Sequence, residues 1–383
     1  MIIGCLLALV LHVGAGERIG DAIDSARTVY QASGERTTIL IRPGDYAEEL
    51  TIDVPYLRLI NAARHPSIAL RDSGLHIADG AVRITWYYGH GYQYRSMGER
   101  INYGGKRSRC WNASVLVSAP YFYAENIIFE NSFNQYISAH EAADNLTVID
   151  SQKTPVRPRE AGNTEVQQKR FIERAAAIAF TSTAKHAVLR HCRCVGHQDV
   201  VYGDQGASVF YDGGVLQGGV DFIFGGMQLA VNKAIIVINV SKQKGDQCYI
   251  SASRNDPDGT HEGVGKYGEP APQAQPRGML FYRCHIRFAT TDELAQPGNT
   301  PAYLARPWRW WGETVWAYTT WDEGCIHPTG WHTGLTKGAP CPRSYEYRSQ
   351  DRSVGRPEWV QVLSLPHLPD GTPLRPHMWI TKE

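Results

Sequence analysis

Three short β-prone segments, Val188-Leu-Arg-His191, Val209-Phe-Tyr-Asp212 and Ala230-Val-Asn-Lys233, start 21 residues apart (209 − 188 and 230 − 209). A period in the low twenties, built from short strands and turn residues, suggests a solenoid in which each repeat is one coil. Two acids sit in similar surroundings inside this repeat: Gln198-Asp199 followed by Val-Val-Tyr202, and Asp221-Phe-Ile-Phe224-Gly225. They are 22 positions apart (221 − 199), one repeat plus one residue. In stacked β-coils, residues one repeat apart become neighbours at about one strand spacing, ~4.8 Å. Two carboxylates so placed cannot both ionise freely, which leaves a protonated acid beside an ionised base or nucleophile. Such a pair suits acid–base or nucleophilic chemistry near neutral pH. Spacing alone favours a plainer reading, two turn aspartates capping successive coils.

The rest of the chain fits the same architecture. Residues 19–31 have helical periodicity, with Ile19, Ala22, Ile23 and Ala26 on one face. One helix there would cap the open end of the solenoid and protect its edge from pairing with other chains. Strand-like segments follow at 38–42, 57–60, 114–117, 126–129 and 146–149, punctuated by Gly, Asn, Asp and Pro. No sustained helical pattern separates them, so stacked parallel coils fit better than βαβ units. Residues 86–111, 153–174 and 254–277 interrupt the rhythm and read as long loops projecting from the coils, where solenoids place binding surfaces. From 339 to 383 the chain is rich in proline (340, 342, 357, 366, 369, 373 and 376) and is expected to wrap the body as irregular chain. Residues 1–383 thus read as a single domain.

With 39 basic and 38 acidic residues, the chain has no charge excess to favour nucleic acid or an anionic membrane as its main partner. Its 8 cysteines lack zinc-type spacing, Cys192-Arg-Cys194 included, and are expected to fill the interior of the coils. The N-terminus is equivocal. Residues 2–11 are apolar and Val13-Gly14-Ala15 resembles a cleavage site, but no Lys or Arg precedes the run as in a secretory signal. The run is too short to span a bilayer. Sequons at Asn112, Asn145 and Asn239 carry no weight without a known secretory route. In Leu304-Ala-Arg306-Pro-Trp308-Arg-Trp310-Trp311, arginine offers two parallel hydrogen bonds to a carboxylate, and tryptophan a flat face for a sugar. A buried Arg ion pair beside a core Trp is an equal reading of that stretch.

Taken together, these residues resemble the pectin methylesterase (pectinesterase) family over most of the chain. Gly44-Asp-Tyr46-Ala-Glu48 is similar to G-x-Y-x-E, and Arg174-Ala-Ala-Ala-Ile178 falls where the family has Q-A-V-A-L. Gln198-Asp199-Val-Val-Tyr202 resembles Q-D-T-L-Y, and Asp221-Phe-Ile-Phe-Gly225 matches D-F-I-F-G throughout. Leu304-Ala-Arg306-Pro-Trp308 resembles L-G-R-P-W, and His327-Pro-Thr-Gly330-Trp331 is like the later H-P-x-G-W. Each motif is weak; their order and spacing together are a strong signal.

The resemblance implies an all-β, right-handed parallel β-helix that hydrolyses galacturonate methyl esters in pectin. It implies Asp221 as nucleophile and Asp199 as general acid and then base. Gln198 would be an oxyanion donor and Arg306 would hold Asp221 ionised and aimed, with Asp199 left as the proton holder. Tyr202, Phe224 and Trp308 would line the sugar groove. It calls for no metal or cofactor, and for pectin as partner to a monomer. A polymeric substrate implies secretion; action on imported oligomers inside the cell would not require it. The main departure is Arg174, which replaces the family's first Gln, a second oxyanion donor, and would bring a fixed charge to the substrate site. That change leaves open a related hydrolase of another acyl ester or thioester. A β-helix glycosidase using the same carboxylates is a further alternative, and a non-catalytic carbohydrate-binding solenoid is a third.

Overall fold

The computed structural model describes residues 9–98, 110–148, 156–168, 174–240, 247–255, 276–309, 311–332, 343–350 and 355–380. Each coil runs through three strands and three corners. Ala187–Arg190 enters a first sheet, Arg193–Val195 a second and Val201–Gly203 a third, before Ser208–Asp212 returns to the first one rung along. Among the described residues the three sheets have 11, 8 and 7 strands, and every pairing within them is parallel. The fold is a right-handed parallel β-helix.

The interior is a set of side-chain files. In the second sheet Tyr46, Ile84, Phe129, Cys194, Leu216, Ile236, Ile286 and Trp321 follow one another in register, all buried. In the first sheet Phe281 stacks on Trp316, with ring centroids 4.0 Å apart and planes 7° from parallel. Each large apolar side chain so buried contributes roughly 1.5–3 kcal/mol before conformational entropy is subtracted. Cys192, Cys194, Cys248, Cys284 and Cys325 are buried within this core; Cys5 and Cys341 lie outside the described residues.

The repeat of 21 is an average. Val188 pairs with Phe210 and Phe210 with Ala230, steps of 22 and 20 (210 − 188 and 230 − 210). The two-step total is right, but Val209 belongs one position out of file. The difference arises at the corners, whose residue count varies from coil to coil while the strand register stays fixed.

The capping helix spans Ile19–Ser33 and buries Ile19, Ile23 and Ala26 against the stack, ending at Gly34 with φ 70°. Its start is held by Glu48, whose carboxylate accepts from the backbone N–H of Ile19 at 2.7 Å and of Gly20 at 3.1 Å. An anion at a helix N-terminus satisfies free donors and opposes the positive end of the dipole. The G-x-Y-x-E motif is therefore structural, for the Tyr46 hydroxyl also donates to the carbonyl of Arg42 at 2.8 Å.

Two expectations are corrected. Leu146–Val148 is not a rung; it pairs antiparallel with Tyr92–Tyr94 in a lobe beside the stack. Its β-prone residues find partners inside the insertion, where Tyr87, Tyr88, Tyr92, Tyr94 and Phe133 form a satellite core. In the proline-rich stretch from 339, Ser344–Tyr347 and Gln361–Val362 are strands that extend the first sheet. Beyond them Leu368, Leu374 and Trp379 pack on the outer face of that sheet.

The lobe is fastened by Arg157, from the second insertion. Arg157 and Glu141 have no exposed side-chain surface, and Arg157 Nε donates to Glu141 Oε1 at 2.9 Å. The Tyr94 hydroxyl donates to the same oxygen at 2.7 Å. Arg157→Met strands a buried carboxylate, a change that typically costs about 3–5 kcal/mol. Urea denaturation is the check; a loss below about 1 kcal/mol would mean that water reaches Glu141.

Candidate active site

The two aspartates occupy the same position on adjoining coils, at the corner between the second and third sheets. Gln198 bridges to Arg174 on one side and Val220 on the other, and two residues past each acid Val201 pairs with Ile223. The register is therefore 22 throughout (220 − 198 and 223 − 201), which sets Asp199 against Asp221 at about one strand spacing. The Asp199 N–H donates to the Val220 carbonyl at 3.1 Å and ties the corners together. Both acids have positive φ, 63° and 47°, and are buried, with relative exposures of 5% and 7%. Left-handed backbone is strained for a non-glycine residue, and Asp is among the residues that tolerate it best.

The glycine that closes the second acid's motif has a steric origin. A Cβ at Gly225, where φ is 110°, would lie 2.1 Å from the carbonyl oxygen of Gly203 in the coil beneath. Glycine is needed there for the strands to meet. Behind the Asp199 corner, Asn239 Nδ2 donates to the Gly196 carbonyl at 2.7 Å and to Gln135 Oε1 at 3.0 Å, and its Oδ1 accepts from Gln217 at 3.0 Å. Asn239 and Asn112 are thus buried rather than available to a glycan.

Asp199, Asp221, Gln198, Arg174 and Arg306 line one cleft of about 240 Å³. Arg306 clamps Asp221 in two parallel bonds, Nε to Oδ1 at 2.6 Å and Nη2 to Oδ2 at 2.5 Å. The guanidinium lies 3.9 Å from the centre of the Tyr249 ring, so its plane is supported from one side. The electrostatic outcome departs from the sequence reading. Burial pushes the Asp221 carboxyl above its usual value, and the bonds and charge of Arg306, with the charge of Arg174, only partly pull it back. Arg306 aims the carboxylate, but desolvation outweighs it in setting the proton affinity.

Phe224, Trp308 and Trp111 form the apolar wall of the cleft. Tyr202 is placed differently from expectation. It is buried against Phe224, centroids 4.8 Å apart, and its hydroxyl bonds Asp204 instead of facing the cleft. Trp111 was not legible as a site residue, since it closes an insertion that reads as loop. Cys110, Trp111 and Asn112 all have positive φ, a turn tethered where Ala176 N–H donates to the Trp111 carbonyl at 3.0 Å. The Arg174 guanidinium stands 5.1 Å from the Trp111 ring centre, within cation–π range. Arg174 lines the cleft with both acids, and its charge acts on Asp221. Trp310 lies outside the described residues.

A cleft of paired carboxylates at a β-helix corner, clamped by arginine and walled by aromatics, defines a class: parallel β-helix proteins with an acidic cleft on one corner. Among solved structures, pectin methylesterase PemA from Erwinia chrysanthemi is similar, with a TM-score of 0.62 at 19% identity, over 93% of this chain and 92% of that one. A pectin methylesterase in complex with a hexasaccharide gives 0.61 at 18% identity, over 94% and 93%. At such identities the likeness establishes the fold. The sequence model of the Pectinesterase family matches residues 163–349, the span that holds all eight predicted site residues. A probable pectinesterase/pectinesterase inhibitor from Arabidopsis thaliana is 30% identical over 161 residues, 42% of this chain. The chain spans about a quarter of the length of that relative, 27%. Over residues 163–349 the chain is similar to the pectinesterase family.

Proposed function

We propose that the chain is a carboxylic ester hydrolase that removes methyl groups from galacturonate esters in pectin. The observation that carries this reading is the stacking of Asp199 and Asp221 on adjoining coils, with Arg306 clamping Asp221 in two parallel bonds. Different surroundings give two like groups different roles. Asp221 Oδ attacks the ester carbonyl carbon, and Gln198 donates to the oxyanion that develops. The intermediate collapses as Asp199 gives its proton to the departing methanol oxygen, leaving galacturonate joined to Asp221 as an anhydride. Asp199, now ionised, takes a proton from water, whose oxygen attacks the galacturonate carbonyl. The Asp221 carboxylate is released, and Asp199 is protonated again. A protonated partner is needed because methoxide is a poor leaving group.

Arg174 stands one coil before Gln198 and supplies N–H donors at the position of a second oxyanion contact. Because its charge pulls the Asp221 carboxyl down, Arg174→Gln is expected to move the acid limb of the kcat/KM profile to higher pH. An unchanged pH–rate profile would place Arg174 outside the chemistry.

Phe224, Trp111 and Trp308 offer the sugar rings flat apolar faces. The deciding experiment is a paired assay on highly methylated pectin, methanol against new reducing ends. Methanol without reducing ends is the expected result. Reducing ends without methanol would make the chain a glycosidase, and neither product would remove pectin as its substrate.

A further inference from the structure

A second ordered surface lies at another corner, between the first and second sheets. Successive coils there place a residue of positive φ at one position: Asn126, His191, Gly213, Lys233, Arg283 and, two coils on, Arg348. The turns are in register. His191, Lys233 and Arg283 each donate their backbone N–H at 2.9 Å to the carbonyl ending the first-sheet strand of the next coil. The side chains therefore form a column with a repeat of about 4.8 Å. His191, Lys233, Arg283 and Arg348 are exposed, and Lys233 and Arg283 belong to no ion pair among the described residues. Aromatic rings stand between the charges, for the Arg283 guanidinium lies 5.4 and 5.5 Å from the ring centres of Tyr282 and Tyr318.

Glycine interrupts this column at one position. A Cβ on Gly213 would sit 2.7 Å from His191 Nδ1, so the His191 ring lies over this glycine and takes the space a side chain would need. Beside this stretch of the column lies a cleft of about 620 Å³ with apolar walls from Pro66, Ile68 and Ile235, and with Asp212, His191 and Lys233 among its lining groups. Apolar walls suit the C–H face of a sugar, Asp212 accepts from hydroxyls, and a cation at the rim pairs with a carboxylate.

We infer that this corner binds a de-esterified polygalacturonate chain, the acidic polymer that the proposed reaction makes, and so holds product-bearing pectin to the protein while the other corner works. The inference rests on the proposed function for its choice of ligand. Charge complementarity carries it: Lys233 and Arg283 stand on adjoining coils, about the length of one pyranose unit apart, as carboxylates do along a polyuronate, and Arg348 follows two coils on. A neutral glycan would have no use for the column.

The test is the double variant Lys233→Asn/Arg283→Asn. Asparagine tolerates positive φ and already occupies this column at Asn126, so the turns are preserved. Affinity for long, fully de-esterified polygalacturonate at low salt is expected to fall about tenfold. Methanol release from a methylated galacturonate trimer, too short to span both corners, is expected to stay as in the parent. Unchanged polygalacturonate affinity would overturn the inference, as would equally tight binding of neutral dextran or of a DNA oligonucleotide by the parent protein. If the parent released no methanol but the variant still lost polygalacturonate affinity, the proposed function would fall and this surface would stand.

Discussion

Asp221→Ala is expected to lower methanol release from methylated pectin by a factor on the order of 10⁴ or more, with pectin binding retained. Without Asp221 the nucleophilic carboxylate held in the Arg306 clamp is gone. Binding survives because the aromatic wall of Phe224, Trp111 and Trp308 is untouched. Arg306, left without its partner, is part-exposed and can be reached by water, so the variant should fold. Near-normal turnover in this variant would rule out Asp221 as the nucleophile. Asp221→Asn is a useful companion, since it keeps the shape but can accept only one of the two Arg306 bonds and cannot form the anhydride.

Arg306→Met should have the next largest effect, a loss of about 10²–10³ in kcat together with a displaced pH profile. Arg306 supplies the strongest forces that pull the Asp221 carboxyl down, so its removal lets burial raise that group further. The acid limb of kcat/KM therefore moves to higher pH. Stability should move with it. A carboxyl whose folded pKa lies above its unfolded value stabilises the fold fully below the unfolded pKa, and that contribution is lost as pH rises through the folded one. The variant should consequently melt progressively lower, relative to the parent, as pH is raised from the acid side toward neutrality. Arg306→Lys separates charge from geometry: it should restore much of the limb position but not the parallel clamp, and so leave kcat depressed. An acid limb unmoved in both variants would mean that Arg306 does not govern Asp221.

Some of this could be read directly from the residues. The repeat near 21, the helix at the open end and the 22-residue separation of the acids all come from local patterns, because strand register in a stacked coil converts sequence distance into spatial neighbourhood. The same logic fails where a segment has two possible partners. Leu146–Val148 has strand composition whether it joins the stack or the Tyr92–Tyr94 strand, and only packing with the satellite core chooses. Tyr202 reads as a groove residue because it is aromatic and three residues from Asp199. Its hydroxyl instead finds Asp204 and its ring finds Phe224, contacts that composition does not reveal.

The sequence by itself determined the coil architecture and the stacking of Asp199 against Asp221, since each depends on spacing along one chain. Only the tertiary structure decided which way the balance of forces on Asp221 falls, that Trp111 walls the cleft, that Arg174 lines it with both acids, and that a basic column runs along a second corner. Those outcomes depend on burial and on contacts between coils far apart in sequence. Desolvation is a property of everything that surrounds a group, and no single motif carries it.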